Sequence, residues 1–270
     1  MDFNIKLRNG QVLRGMIQSP GENLRAVIVF VHGIGEHIHR YDYWASLFNK
    51  EGIGFAGVDL PGDGKSQGRK GGIKSYSLPD EMIDILLKSC NQTFPGCPVY
   101  IYGHSLGGGI VLDYLLNRNP KIKGAIVTSP WLLLTFKPSK NKIIITSLMK
   151  NLIPGLILST GLNANHLSHD KTVVEIYKND PLVHEKISIG LFSSAMTAGR
   201  NSLAHADQLK IPTLLMHGSE DMITSPEGSR EFAGKTNMVE LKIWDGGYHE
   251  LHNEPFKDEV FKYILNWINK

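Results

Sequence analysis

The chain is poor in features that would tie it to several broad protein classes. Only two of its 270 residues are cysteine, Cys90 and Cys97, and they flank a Pro-Gly turn. Two cysteines cannot frame a fold of this size, and two free thiols are expected. No charge sign dominates, since 29 Lys+Arg against 26 Asp+Glu leave a net charge of +3. With no long basic block, nothing points to nucleic acid as a partner. The first residues, Met1-Asp2-Phe3-Asn4-Ile5-Lys6, lack the basic head and apolar core of a secretory signal. The longest apolar region, residues 143–162, is broken by Lys150, Asn151, Pro154 and Gly155, which makes it a poor membrane span. The expectation is a soluble, cytoplasmic protein. No G-x-x-x-x-G-K-[ST], no helix-opening G-x-G-x-x-G and no H-E-x-x-H occurs, and the histidines are scattered without ligand spacing. No bound phosphate, metal or cofactor is therefore expected. No internal repeat or low-complexity tract is visible.

What is present is a regular alternation. Hydrophobic residues make up 41% of the chain, enough for one large core. An opening hairpin is read at residues 3–7 and 12–17 around Asn9-Gly10. Further strands are read at 26–31, 55–58, 99–102, 125–128, 213–216 and 239–243. Helical spacing appears at 43–50, 79–89, 109–116 and 256–268. Strands separated by helices imply an α/β fold, a mostly parallel sheet covered on both faces. We read residues 1–270 as one domain. The stretch 131–205 breaks the rhythm, shows no strand, and is read as a helical insertion over the carboxyl ends of the strands, where ligands bind in such sheets. Its run Ile143, Ile144, Ile145, Leu148, Met149, Leu152, Ile153, Leu156, Ile157 and Leu158 is more apolar than a solvated surface needs. It could pack onto the main domain, line an acyl tunnel or touch a lipid surface.

The most informative segment is Gly103-His104-Ser105-Leu106-Gly107. It follows a β-rich run and precedes a helical one, the strand–turn–helix setting of a nucleophile elbow. A serine hydroxyl needs a base to take its proton, and the base needs an orienting carboxylate. On this fold the chain order is serine, acid, histidine, with acid and histidine on loops after late strands. Asp221 and His249 occupy those places; Glu220, Asp245, His217 and His252 are the rivals. The backbone N–H of Leu106 and that of Ile34, in the loop His32-Gly33-Ile34-Gly35-Glu36-His37, are the candidate oxyanion donors.

With those residues in hand, the chain resembles the monoacylglycerol lipase/lysophospholipase branch of the α/β-hydrolases. The resemblance is carried in order by His32–His37 with Arg40-Tyr41, by Asp59-Leu60-Pro61-Gly62-Asp63-Gly64-Lys65-Ser66-Gln67-Gly68, by Gly103–Gly108, by Asn179-Asp180-Pro181-Leu182, and by Asp221 and His249–Glu254. It implies a cofactor-free serine hydrolase acting on a small lipid ester under a mobile cap, with the cap lining an acyl pocket. It also places Glu36, Arg40 and His252 near a polar end that holds the alcohol. One departure stands out: Asp63 replaces the histidine that this branch usually carries in Gly-His-Gly. Transient contact of the cap with a membrane or micelle is a further expectation, and no oligomeric state is assigned. A short-chain esterase or thioesterase on the same residues, and a non-catalytic binding protein on the same fold, stay open.

Overall fold

The computed structural model describes residues 2–136, 149 and 152–270. Its centre is an eight-stranded sheet. The strands are β1 (Asp2–Lys6), β2 (Val12–Gln18), β3 (Ala26–Val31), β4 (Ile53–Val58), β5 (Val99–His104), β6 (Gly124–Thr128), β9 (Thr213–Gly218) and β10 (Val239–Trp244), with two short strands, β7 (Ile157–Ser159) and β8 (Lys186–Ser188), lying outside it. Their order is β1-β2-β4-β3-β5-β6-β9-β10. The β1–β2 and β2–β4 pairings are antiparallel and all the others parallel. The observed strands sit within one or two residues of the expected ones.

Side-chain alternation divides the sheet between two cores. Val27, Val29 and Val31 of β3 face one layer, and Ile28 and Phe30 face the other. A strand buried on both faces reads as a continuous apolar run, which is why residues 26–31 carried no alternation in sequence. Helices α2 (Ser77–Thr93) and α3 (Leu106–Arg118) cover the first face. Helix α1 (Asp42–Lys50) and the closing helix α7 (Lys257–Ile268) cover the second. Helix α3 is apolar nearly all round because it is sandwiched between β5 and a later helix, α5 (Ile189–Ala204).

The crossing from β6 to β9 departs from expectation. Strands β7 (Ile157–Ser159) and β8 (Lys186–Ser188) form a separate antiparallel pair, Ile157 opposite Ser188 and Ser159 opposite Lys186. Three-residue strands are too short for periodicity to reveal. Helix α4 (Lys171–Asn179) lies between them and carries its own small cluster of Val174 and Tyr177 with Ala164 and Leu167. Helix α6 (Pro226–Ala233) follows β9. Of the expected apolar run, residues 143–148 lie outside the described residues. Leu152, Ile153 and Leu156 are exposed, Leu152 to 80%. Among the described residues, no helix is long and apolar enough to cross a membrane.

Candidate active site

Ser105 stands between the end of β5 and the first residue of α3 with φ 55° and ψ −118°. This is a strained conformation for a residue with a side chain, of order 1–3 kcal/mol, and it persists only where the surroundings over-determine it. The Ser105 N–H donates to the Thr128 carbonyl at 3.0 Å, and its carbonyl accepts from the Trp131 N–H at 2.9 Å. The flanking glycines are steric requirements. A Cβ on Gly103 would fall 2.6 Å from the Gly107 oxygen, and one on Gly107 would fall 2.1 Å from the Val31 oxygen.

The three expected side chains meet. The Ser105 hydroxyl donates to His249 Nε2 at 2.8 Å, and His249 Nδ1–H donates to Asp221 Oδ2 at 2.7 Å. Asp221 is fully engaged: its Oδ1 accepts from the N–H groups of Ile223 (2.7 Å) and Thr224 (3.0 Å). Its Oδ2 also accepts from the Thr224 hydroxyl at 2.9 Å and from His217 Nε2 at 3.0 Å. His217 thus stands across the carboxylate from His249, while Glu220 and Asp245 are exposed. Burial alone would raise the Asp221 carboxyl, but the charge of His249 and the hydrogen bonds from His217 and His249 hold it well below the usual carboxylate range. Burial pulls the His249 imidazole down, yet the neighbouring Asp221 charge and hydrogen bond outweigh it and leave it raised above 6.5.

The loop after β3 is held from several sides. The Leu60 N–H donates to His32 Nε2 at 2.8 Å, so the ring proton lies on Nδ1, which donates to the Gly33 carbonyl at 2.8 Å. In a trans peptide the C=O and the next N–H point oppositely. Pinning the Gly33 oxygen therefore sets the direction of the Ile34 N–H. The Gly33 N–H donates to Glu36 Oε1 at 2.6 Å, and the Gly35 carbonyl accepts from the His184 N–H at 2.8 Å. The Leu106 N–H opens α3 and belongs to the first-turn groups that have no intrahelical acceptor.

Ile34 and Ser105 line one cavity of about 490 Å³. Among the described residues its wall is mostly apolar: Trp131, Leu134 and Phe136 after β6, Leu158 and Ile187 on β7 and β8, Phe192 on α5, and Met222 and Ile223 beside Asp221. Ser159, Thr160, Asn163 and His166 give it a polar edge, and among the described residues no carboxylate and no Lys or Arg lines it.

Glu36, Arg40 and His252 come together behind the loop and are not on that wall. Arg40 makes a two-pronged pair with Glu250, both contacts 2.8 Å, and also pairs with Glu36. The Tyr41 hydroxyl donates to Glu36 at 2.8 Å, and the Arg40 guanidinium lies 4.8 Å over the Tyr177 ring of α4. Burial opposes the Glu250 charge, but Arg40 holds its carboxyl well below the usual range. His252 is 2% exposed, and neither ring nitrogen has a hydrogen-bond partner among the described residues. Its ring lies 4.9 Å from that of His104, whose ring is also 4.9 Å from that of His249. Burial brings His252 down to about 4, and burial with the charges of His252 and His249 brings His104 well below its ordinary value. Glu250, Thr224, His184, Tyr177 and Ser129, whose hydroxyl donates to the His249 carbonyl, all support the site, and sequence reasoning did not single them out for it. Glu250 adjoins His249 in sequence, which was the one available signal. Among the described residues no group of three or more His, Cys, Asp or Glu is arranged to hold a metal ion.

Comparison with known proteins follows the same lines. The family described as serine aminopeptidase, S33 matches residues 22–256. An uncharacterized abhydrolase domain-containing protein of Dictyostelium discoideum is 37% identical over 250 residues, 91% of this chain; the chain spans only 26% of that protein's length. The monoacylglycerol lipase of Mycolicibacterium smegmatis is 29% identical over 255 residues, covering 93% of this chain and 91% of the relative. The crystal structure of the Paleococcus ferrophilus monoacylglycerol lipase superposes with a TM-score of 0.87 at 33% identity, covering 94% of this chain and 97% of that one.

Proposed function

This chain belongs to the serine aminopeptidase S33 family, and we propose that it hydrolyses monoacylglycerol-type esters of single-chain fatty acids through an acyl-enzyme. The observation that carries the reading is Ser105, hydrogen-bonded to His249 and opening into an apolar cavity. The cavity lies within the ~300–1,000 Å³ range of small-molecule sites. Its described wall offers no carboxylate to pair with the amino terminus of a peptide, while its apolar side chains suit an acyl chain. Similarity to two monoacylglycerol lipases supports the same choice.

In this mechanism Ser105 Oγ attacks the ester carbonyl as His249 Nε2 takes its proton. Asp221 keeps the imidazole in one tautomer and stabilises its charged form. The N–H groups of Ile34 and Leu106 receive the oxyanion; losing one such donor typically costs about 10²–10³ in rate. The tetrahedral intermediate collapses, and His249 returns the proton to the departing alcohol. Water then attacks the acyl-enzyme, giving its proton to His249, and the fatty acid leaves as Ser105 regains the proton.

Residues 131–205 act as a cap whose strands β7 and β8 wall the acyl pocket. Glu36 and Arg40 serve the alcohol end by supporting the Gly33–Ile34 peptide, since their charged atoms already satisfy one another, and His252 backs the same end. The exposed Leu152, Ile153 and Leu156 touch a lipid surface transiently during substrate capture. The test is fatty-acid release from monoacylglycerols of rising chain length, diacylglycerol, lysophosphatidylcholine and a short p-nitrophenyl ester. Fast release from long monoacylglycerols is expected. Turnover of the short ester alone would move the protein to a generic carboxylesterase.

A further inference from the structure

The departure at Asp63 has a partner 121 residues away. His184 Nε2 donates to Asp63 Oδ1 at 2.7 Å, and the two side chains are only 4% and 5% exposed. The Lys186 N–H donates to His184 Nδ1 at 3.2 Å, which places the ring proton on Nε2, facing Asp63. The same residue grips the loop below through its main chain. Its N–H donates to the Gly35 carbonyl at 2.8 Å. Its own carbonyl presses so closely that a Cβ on Gly35, where φ is +68°, would fall 2.0 Å from it. Asp63 lies in the 59–68 turn, and that turn is tied to the same region of the core. Asp59 Oδ1 accepts from the Ile38 N–H at 2.8 Å, and Leu60 N–H holds His32. His32 pins the Gly33 side of the Ile34 peptide, and His184 pins the Gly35 side.

We propose that Asp63 and His184 form a positioning pair that sets the Ile34 N–H from the cap side, so that the oxyanion loop is in register only while β8 is docked. The proposal rests on the hydrolase reading above. Neither residue touches substrate. His184 acts through Gly35, and Asp63 acts by fixing the ring and hence the backbone of His184. A histidine at position 63 would face the His184 N–H with a second ring instead of a carboxylate. The Asp63–His184 pair thus makes the departure from the family pattern a buried side-chain connection between two segments that are also joined by the Ser188 N–H on the Gly71 carbonyl and by Lys70 Nζ on the Pro181 carbonyl.

The test compares wild type, Ser105→Ala, His184→Ala, His184→Gln and Asp63→Ser. Each is assayed for kcat and KM on p-nitrophenyl butyrate. Each is also assayed for affinity to an alkyl trifluoromethyl ketone, which adds to the serine and needs the oxyanion donors, and for decanoic acid, which does not. Misplacing a reacting group by about 1 Å costs on the order of 10²-fold, so His184→Ala should lose about 10–100-fold in kcat with little change in KM. Ketone affinity should fall by the same factor while decanoic acid binding holds. Glutamine can donate to Asp63 from its terminal amide, so His184→Gln should recover most of the loss. Serine at position 63 suits a turn but cannot reach His184, so Asp63→Ser should reproduce the loss even if His184→Ala does not fold. The proposal is overturned if Asp63→Ser keeps wild-type kcat, if only KM rises, if kcat falls without a matching fall in ketone affinity, or if glutamine is no better than alanine. Turnover surviving in Ser105→Ala would instead overturn the hydrolase reading itself, and that result appears without any change at the clasp.

Discussion

The Ser129 hydroxyl donates to the main-chain carbonyl of His249 at 2.7 Å, joining the turn after β6 to the loop that carries His249. Ser129 has φ 46° and is fully buried, and its own carbonyl lies 3.0 Å from the Thr224 hydroxyl, whose single proton is shared between that carbonyl and Asp221 Oδ2. The residue therefore links the His249 loop to the segment beside Asp221. Ser129→Ala leaves a buried carbonyl unpaired, a cost of about 1–3 kcal/mol. The expected result is a lower midpoint in urea together with a kcat reduced by roughly tenfold, as the imidazole loses its fixed place against Ser105. A variant with wild-type kcat would show that the base loop is held by its other contacts.

The pH profile follows from His249. Its imidazole is raised above 6.5, chiefly because the Asp221 charge outweighs burial. Only the deprotonated ring can take the serine proton, so kcat/KM should rise with pH through a midpoint above 6.5 and be lost as pH falls below it. His252, at about 4, and His104, lower still than an ordinary imidazole, stay neutral through this range and should add no second limb near neutrality. In Asp221→Asn the charge that raised His249 is gone while its burial remains. The limb should therefore move to lower pH, with kcat down by about 10⁴. A profile of kcat/KM against pH for both proteins checks the sign; an unmoved limb would assign it to another group.

How far the site was legible in sequence depended on how local each relationship is. The elbow is a five-residue steric problem, and the order serine, acid, histidine is fixed on this fold, so Ser105, Asp221 and His249, which the structure brings into one hydrogen-bonded line, could be named from the residues as candidates. The central strands of the main sheet carried apolar runs and were equally plain, and the opening hairpin was marked by its Asn9-Gly10 turn. Strands β7 and β8 left no periodic trace in three residues each. Glu36, Arg40 and His252 were visible as a motif, but not their enclosure by Glu250 and Tyr41, because burial of a charge depends on what packs over it. Asp63 read as a departure and nothing more, since its partner His184 lies in a segment with no regular pattern.

Acyl length should respond to the β7 wall. Leu158 is half-buried and lines the cavity. Leu158→Trp fills space beyond the reacting centre and should shift the monoacylglycerol optimum to shorter chains while p-nitrophenyl butyrate turnover holds. Equal losses on all lengths would mean that the acyl chain runs elsewhere.

Surface contact should be separable from chemistry. Leu152 is 80% exposed and Ile153 44%, so replacing both with aspartate should change stability by no more than about 0.5 kcal/mol per site. Co-sedimentation with phosphatidylcholine liposomes should fall, and turnover of a water-soluble ester should not. Unchanged co-sedimentation would remove these residues from any role at a lipid surface.

The most direct measurement is covalent labelling with an alkyl fluorophosphonate, mapped by peptide mass and followed against fatty-acid release from a monoacylglycerol. One adduct is expected, on Ser105, with activity lost in proportion to its formation and no adduct in Ser105→Ala. Activity that survives complete labelling of Ser105, or inactivation by an adduct on a different residue, would contradict this expectation.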